Sequence, residues 1–224
     1  MQDSIYCYKG TNVLKNKVGA STLKELAQAE EDATYLRLWE LEQQPIRGRF
    51  DLEHLCAIHK YIFQDIYEWA GETRNVNISK GNSFCEYRNI PSSAKDIFRR
   101  YFPECYDARN DKDKFIERLA FHYGSVNILH PFREGNGRAQ REFARELCLK
   151  CGYVFDLSVT THKEMLDASV YSLAKADDSK LEAIFRRAIF KEGEYKGHSN
   201  RILQILSSDD LDIEAEVAQY DYYE

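Results

Sequence analysis

Apolar residues recur every three or four positions along most of this chain, which is the spacing of helices that bury one face. Proline and glycine interrupt the pattern, and we expect Pro45, Pro103 and Gly152 to end three of the helices. The stripes predict helices over 23–44, 52–66, 91–101, 111–129 and 136–151, two more that begin at Thr161 and at Asp178 or Ser179, and a short amphipathic segment at 202–206. These elements predict an all-α bundle.

Residues 72–90 depart from the helical spacing. Val76, Ile78 and Phe84 alternate loosely with polar residues, and the turn sequence Lys80-Gly81-Asn82-Ser83 lies between them. This pattern predicts a β-hairpin. Because the segment is too polar for a core, we expect it on the surface as a flap. The predicted fold class is therefore all-α with one β-hairpin.

The composition is sufficient for a substantial core, and the charge is distributed unevenly along the chain. The chain has 224 residues, of which 43% are hydrophobic and 13% aromatic, so global disorder is not expected. Its net charge is −6, yet residues 202–224 alone carry seven acids and no lysine or arginine, which leaves the rest near neutrality. A neutral body argues against nucleic-acid binding. We expect an N-terminal segment and helix that pack on the core over 1–50, the core itself over 51–192, and a C-terminal helix with the acidic tail over 193–224.

The cysteines and the chain's first residues bear on its compartment. The six cysteines show no disulfide framework, and the C-x-x-C of Cys148 and Cys151 has no second pair to complete a zinc site. No apolar run reaches the roughly 18 residues of a membrane span, and the polar N-terminus is unlike a signal peptide. The sequence predicts a cytoplasmic protein that binds no membrane, although an effector secreted without a signal peptide has the same features.

The stretch 130–138 gathers groups that suit phosphate and metal chemistry. It lies between two predicted helices, so backbone N–H groups at the start of the second helix can face an anion. Gly135 and Gly137 allow the backbone to form a concave nest there, and Arg138 adds a fork for phosphate oxygens. Arg141 lies three residues further, on the same side of the helix.

Two further side chains suggest what happens to the bound phosphates. A carboxylate at Glu134 would repel an anion unless a magnesium ion bridged the two. The imidazole of His130 has a reference pKa near 6.5, which suits a base that takes a proton from a hydroxyl group. These residues indicate magnesium-assisted phosphoryl or nucleotidyl transfer.

The same residues resemble a known family. The sequence His130-Pro131-Phe132-x-Glu134-Gly135-Asn136-Gly137-Arg138 matches the H-P-F-x-[DE]-G-N-G-R signature of the Fic domain family at every position. Residues 66–71 resemble the helix end before the Fic flap, and residues 74–84 resemble the flap itself. The resemblance spans roughly 50–190 and implies a Fic-type helical bundle with a β-hairpin flap.

The resemblance implies a protein adenylyltransferase, which moves AMP from ATP to a Ser, Thr or Tyr hydroxyl of a target protein and releases pyrophosphate. His130 would be the base, Glu134 would hold Mg²⁺, and Gly135, Asn136, Gly137 and Arg138 would bind the phosphates. The flap near Ile78 and Lys80 would hold the target in extended form by strand addition. UMP or phosphocholine transfer, removal of AMP, and a non-catalytic phosphate-binding module stay open as alternatives.

The family also implies a form of inhibition. Many members carry a helix with the motif [ST]-x-x-x-E-[GN], whose glutamate pairs with the signature arginine, either within the chain or on a separate antitoxin. Ser21 to Glu25 and Thr160 to Glu164 fit the spacing, but helix capping accounts for both. The tail end, Tyr220 to Glu224, resembles the C-terminal version, with Glu224 as the candidate glutamate. The alternatives are a solvated acidic end and inhibition by an antitoxin.

Overall fold

A computed structural model describes residues 5–80, 82–196 and 220–221. Within these ranges the chain folds into seven α-helices, and two small antiparallel sheets complete the structure. The helices are α1 (Leu23–Gln43), α2 (Leu52–Phe63), α3 (Ile90–Ala108), α4 (Lys112–Leu129), α5 (Asn136–Lys150), α6 (His162–Lys175) and α7 (Ser179–Ala188). None of them is long and apolar enough to cross a membrane. The predicted all-α bundle is confirmed.

Helix α4 lies at the centre and contacts α3, α5, α6 and α7. Its predicted apolar stripe is confirmed, because Phe115, Leu119, Tyr123 and Val126 are all buried. Helix α5 packs against α2 and α4 and buries Phe143 and Leu147 on the same side. The junction of α4 and α5, where the signature lies, is therefore held between two well-packed helices.

Capping boxes begin two of the described helices. Thr22 forms a capping box with Glu25 at the start of α1, and Thr161 forms one with Glu164 at the start of α6. A capping box satisfies backbone N–H groups that the first turn leaves without partners. Both glutamates that matched the inhibitory spacing are thus engaged as helix caps.

The predicted end of the third helix at Pro103 is wrong, since α3 continues through the proline to Ala108. Pro103 lies on the exposed face of α3, where water can bond the carbonyl group that a proline nitrogen leaves without a donor. On the opposite face Tyr101 and Cys105 are fully buried. Packing on both sides of the proline therefore maintains the helix.

A small sheet that the sequence did not predict joins the end of α5 to the end of α7. Strand β3 (Tyr153–Phe155) pairs antiparallel with β4 (Ile189–Lys191), with Val154 opposite Phe190. All three residues of β3 are buried, so the strand lacks the polar alternation that marks a half-exposed strand. Its partner strand lies more than thirty positions away along the chain. The hydrophobic pattern of a single segment cannot predict a pairing over that distance.

The predicted hairpin is present, although its regular part is short. Strand β1 (Ser79–Lys80) pairs antiparallel with β2 (Asn82–Ser83) across a tight turn. A third strand, β5 (Tyr220–Asp221), pairs antiparallel with the other edge of β1, so the order across the sheet is β2-β1-β5. The predicted segment 202–206 lies outside the described residues.

Candidate active site

The signature begins where α4 ends, at a residue with unusual backbone geometry. His130 caps α4 in the left-handed conformation, with φ of 43° and ψ of 61°. For a non-glycine residue this conformation is uncommon and is often found at functional sites. Its ring Nδ1 lies 3.3 Å from the carbonyl oxygen of Asn127, which favours the tautomer that carries the proton on Nδ1. In that tautomer Nε2 is the basic nitrogen.

Hydrogen bonds between its own residues hold the loop after His130 in place. The side chain of Asn136 accepts from the Phe132 backbone N–H and donates to the Phe132 carbonyl oxygen, both at 2.8 Å. Phe132 itself is fully buried and its ring stacks on that of His59 with centroids 3.9 Å apart. The asparagine of the signature thus closes the loop, while the phenylalanine ties it to α2.

His59 supports the loop as a neutral residue. Its Nδ1 accepts from the Gly71 N–H at 2.9 Å, so Nε2 carries the proton and donates to the Glu134 carbonyl oxygen at 2.9 Å. Burial lowers the pKa of His59 to about 4. The ring therefore stays uncharged at neutral pH and fixes the backbone of Glu134.

The glycines before and within the first turn of α5 allow a close approach of the backbone. Gly135 has φ of 79°, and a Cβ added there would lie 2.2 Å from Cζ of Phe63. A side chain at Gly137 would lie 3.0 Å from Nη1 of Arg141. Since α5 begins at Asn136, its N–H groups face the space in front of the loop. This arrangement can bind an anion without steric obstruction.

The carboxylate of Glu134 lies at the edge of this nest. Its Oε1 accepts from the N–H of Gly135 at 2.8 Å and lies 3.8 Å from Nη2 of Arg138. The side chain remains 29% exposed, so the carboxylate can reach a ligand in the neighbouring space.

Among the described residues, the closest ion pair of Arg138 is with a residue of α1. Its Nη2 donates to Oε2 of Glu30, and the guanidinium lies over the Phe63 ring, 4.6 Å from the centroid. The hydroxyl of Tyr67 donates to the other oxygen of Glu30. Burial raises the pKa of the Glu30 carboxyl above its ordinary value, an effect that Arg138 opposes and nearby Glu134 adds to.

The flap is attached to the catalytic loop at its base. Arg74 donates from its backbone N–H to the Pro131 carbonyl oxygen at 2.8 Å and from Nε to the His130 carbonyl oxygen at 2.9 Å. Its other nitrogens donate to the carbonyl oxygens of Val76 and Cys85, on the two sides of the hairpin. Phe84, just after β2, stacks on the His130 imidazole with centroids 3.7 Å apart.

A cavity of about 210 Å³ connects these groups. Helix α1 forms one wall with Leu23, Ala27 and Glu30, and α6 forms another with Met165 and Val170. The signature and the first turns of α5 line its floor. Seven of the predicted site residues meet here: His130, Glu134, Gly135, Asn136, Gly137, Arg138 and Arg141.

The remaining predicted site residues lie elsewhere. Ile78 is 3% exposed and anchors the flap, while Lys80 belongs to β1 and offers its backbone to β5. Ile78 does not line the cavity. Glu224 lies outside the described residues.

Sequence reasoning missed the residues that support the signature from other elements. Glu30 lacks the expected Ser or Thr four positions earlier, where Leu26 stands, and is followed by Glu31 rather than Gly or Asn. Arg74 falls within the segment 74–84 that resembles the flap, and no pattern in the sequence connects His59 with the signature. The signal for Glu30 was weak: a single acid on the otherwise apolar side of α1, which the helical spacing could have revealed.

Known proteins place this geometry in a family. The sequence model of the Fic/DOC family matches residues 49–148. The "Probable protein adenylyltransferase Fic" of Salmonella typhimurium (strain LT2) is 40% identical over 189 residues, which cover 82% of this chain and 91% of that protein. The structure of BepC from Bartonella tribocorum with bound AMPPNP is similar at a TM-score of 0.78 and 25% identity, covering 83% of this chain and 96% of that chain. An N-terminal Fic domain from Bartonella quintana with bound ADP has a TM-score of 0.78 and 26% identity, covering 84% and 95%. This chain therefore belongs to the Fic/DOC family, and its predicted Fic-type helical bundle is confirmed.

Proposed function

We propose that this protein transfers AMP from ATP to a Ser, Thr or Tyr hydroxyl of a target protein and releases pyrophosphate. The observation that carries this proposal is that one cavity holds the imidazole of His130, the anion nest of α5 and the guanidinium of Arg138. The printed name of the Salmonella relative supports the activity, and the AMPPNP and ADP in two similar structures support a nucleotide in the cavity.

In the proposed reaction His130 acts as general base. The Asn127 carbonyl oxygen orients the ring by accepting from Nδ1, so Nε2 receives the proton of the target hydroxyl. The oxygen then forms a bond to the α-phosphorus as the bond to the β-phosphate bridging oxygen breaks. The electron pair of that bond leaves with pyrophosphate. Stacking on Phe84 keeps the imidazole beside the flap where the target is held.

The N-terminal turn of α5 binds the phosphates in this proposal. Backbone N–H groups of Asn136 and Gly137 and the positive end of the helix dipole favour the negative charge, and the N–H of Gly135 joins them once Glu134 Oε1 releases it. Arg138 and Arg141 both line the cavity and can donate to phosphate oxygens. These donors stabilise charge on the leaving pyrophosphate.

A magnesium ion fits the residues present. Within the described part of the chain no three metal-binding side chains come together, so the protein alone does not form a closed cage. Glu134 instead offers one carboxylate beside an anion nest, and Mg²⁺ is typically bound by one or two carboxylates together with substrate phosphates. When bound, the ion neutralises phosphate charge. Glu134 would hold it from the protein side.

We propose that Glu30 is the self-inhibitory glutamate of this chain. It occupies the guanidinium of Arg138 that the phosphates of ATP need, and Tyr67 holds it there by a second hydrogen bond. Both Glu30 and Arg138 line the nucleotide cavity. An antitoxin would then have to act in addition to this internal contact, for example by stabilising α1 in its present position.

A cytoplasmic site of action agrees with this function. The proposed substrate ATP is a cytoplasmic metabolite, and all six cysteines are free thiols, which reducing compartments preserve. Burial raises the pKa of the Cys105 and Cys148 thiols and so keeps them unreactive.

The test uses two labels on ATP. With the label on the α-phosphate, Mg²⁺ and lysate proteins, the unmodified chain should label proteins, and His130→Ala should reduce the rate by about 10²- to 10⁴-fold. A label on the γ-phosphate should not be transferred. His198→Ala, a histidine outside the signature, is the control and should behave as the unmodified chain.

Each of the other outcomes would support a different function or a different role for His130. Transfer of the γ-label would mean phosphoryl transfer, and stronger competition by unlabelled UTP or CDP-choline than by ATP would mean a different donor. Equal labelling by the unmodified chain and His130→Ala would refute the catalytic role of His130. ATP binding without any transfer would favour the non-catalytic module.

A further inference from the structure

The outer edge of the flap is occupied by the chain's own C-terminal segment. Strand β1 pairs on one side with β2, and on the other side Ser79 lies opposite Asp221 and Lys80 opposite Tyr220. A two-residue hairpin exposes N–H and C=O groups along each edge, and such an edge readily accepts another extended chain. Strand β5 pairs with these groups through its backbone.

The flap that carries this edge is attached to the catalytic loop. The base of the flap is tied to the His130 and Pro131 carbonyl oxygens through Arg74, and the N–H of Cys85 donates to the Ile128 carbonyl oxygen at 2.9 Å. Phe84 connects the end of β2 directly to the His130 ring. A strand bound to β1 is therefore connected through the flap to the loop that carries His130.

We propose that β5 is an intramolecular competitor of the target protein. It pairs with the edge of β1 that an extended target segment would use, and it must leave before the target can bind. The role of this edge rests on the proposed function, whereas the pairing of the tail with the flap does not. The chain permits it, since the 23 residues 197–219 between the body and β5 can span up to roughly 75 Å.

The tail and Glu30 would then act on different substrates. Glu30 occupies the arginine needed for the nucleotide, whereas β5 occupies the backbone edge needed for the polypeptide. Release of β5 should therefore lower the KM for the target without changing the affinity for ATP. A tethered segment has an effective concentration of about 1 mM, so a free-peptide Kd of about 100 µM would keep the edge covered in about nine of ten molecules. The apparent affinity of any competitor would fall about 10-fold.

The experiment measures binding of a fluorescein-labelled peptide with the sequence of residues 217–224 to the full chain. In the double variant Tyr220→Pro with Asp221→Pro, β5 loses both N–H donors and is unsuited to pairing, so its edge of β1 becomes free. We expect the peptide to bind this variant about 10-fold more tightly than it binds the unmodified chain. The matched control, Ser207→Pro with Ser208→Pro, places two prolines in the tail outside β5 and should bind the peptide as the unmodified chain does.

Amide hydrogen exchange identifies the place of binding. Successive residues of β1 direct their N–H groups to opposite edges, so one of the N–H groups of Ser79 and Lys80 faces β5 and the other faces β2. The N–H that faces β5 should exchange faster in the Tyr220→Pro/Asp221→Pro variant and become protected again when the peptide is added. Equal peptide binding by the variant and the unmodified chain, or no binding by either, would overturn the proposal. A tail exchanged between two copies would also overturn it, and would appear in sedimentation as a dimer that the variant loses.

The activity of the same variant separates the two proposals. At low concentrations of lysate proteins it should transfer AMP up to about 10-fold faster than the unmodified chain, with an unchanged KM for ATP. If neither chain transfers AMP but the peptide binds as expected, the proposed function fails and the pairing of the tail stands. If both transfer AMP at equal rates and bind the peptide equally, only the inference about β5 fails.

Discussion

Arg138 binds the carboxylate of Glu30 in this structure at the position where the proposed reaction needs it to bind phosphate. Replacing Glu30 by Gln removes the charge but preserves the size of the side chain, so Arg138 can turn to the nucleotide. Hydrogen bonds between charged groups contribute about 1.5–3 kcal/mol, which corresponds to about a 10- to 150-fold effect. We expect Glu30→Gln to raise the rate of AMP transfer within this range, measured with α-labelled ATP.

Glu31→Gln is the matched control for this change. Glu31 also lines the cavity but forms no ion pair with Arg138 in the described part of the structure, so its replacement should change the rate less than about 2-fold. Equal rates for Glu30→Gln and the unmodified chain would show that the contact with Arg138 is structural and does not restrain the reaction.

At the scale of single residues the sequence predicts a site at the signature but not the residues that support it. Roles for His130, Glu134 and Arg138 could be proposed because nine consecutive positions bring together an imidazole, a carboxylate, a guanidinium and glycines that suit an anion nest. Glu30 meets Arg138 across 108 positions, and His59 meets Glu134 across 75. Such contacts depend on how α1 and α2 pack on α5, and no local pattern encodes that packing.

Helix α3 carries a proline in its interior, and this position offers a test of the element itself. Pro103 removes one backbone hydrogen bond, and an interior proline costs a helix about 3 kcal/mol relative to alanine, although an exposed site and a relaxed backbone reduce this. We expect Pro103→Ala to raise the free energy of unfolding by about 1–2 kcal/mol, measured by urea denaturation.

Pro91→Ala is the internal comparison in the same helix. Pro91 lies in the first turn, where the backbone N–H has no helical acceptor, so proline there costs no hydrogen bond. Its replacement should leave the protein unchanged or slightly less stable. A gain at position 91 equal to that at 103 would mean that the effect does not come from the hydrogen bond that a proline removes inside α3.

The secondary-structure elements also differ in how well the sequence predicts them, depending on whether local residues or tertiary contacts determine them. Caps at Thr22 and Thr161 and the stripe of α4 were predicted because each depends on residues within four positions. The end of α3 was misplaced because the burial of Tyr101 and Cys105, a tertiary effect, outweighs the local preference of Pro103. The pairing of β3 with β4 is likewise tertiary.

For the whole molecule, a buried acidic pair at the junction of α1, α2 and α5 links stability to pH. Glu142 is 5% exposed and accepts two hydrogen bonds from Arg145, at 2.6 and 2.7 Å. Glu146 faces it one turn later and is 3.0 Å from the ring of His54 on α2. Burial raises the pKa of Glu142 to about 7, an effect that Arg145 opposes and Glu146 adds to.

The sign of the pH effect follows from this raised pKa. An unfolded glutamate has a pKa of 4.5, so between that value and about 7 the folded protein holds a proton that the unfolded chain has lost. The stabilisation is complete below pH 4.5 and disappears as the pH rises through about 7. Relative to Glu142→Gln, the unmodified protein should therefore lose about 1–3 kcal/mol of unfolding free energy between pH 5 and pH 8.

Urea denaturation of the two proteins at pH 5, 6, 7 and 8 measures this difference, because groups that titrate in both proteins cancel when one profile is subtracted from the other. Glutamine cannot ionise. If the unfolding free energy of the unmodified protein minus that of Glu142→Gln falls steadily through pH 7, the group that loses its proton is Glu142. Parallel profiles would mean that Arg145 keeps Glu142 ionised throughout, in which case this junction acts as a fixed ion pair. A difference that rises with pH would require a lowered pKa and would contradict the effect of burial.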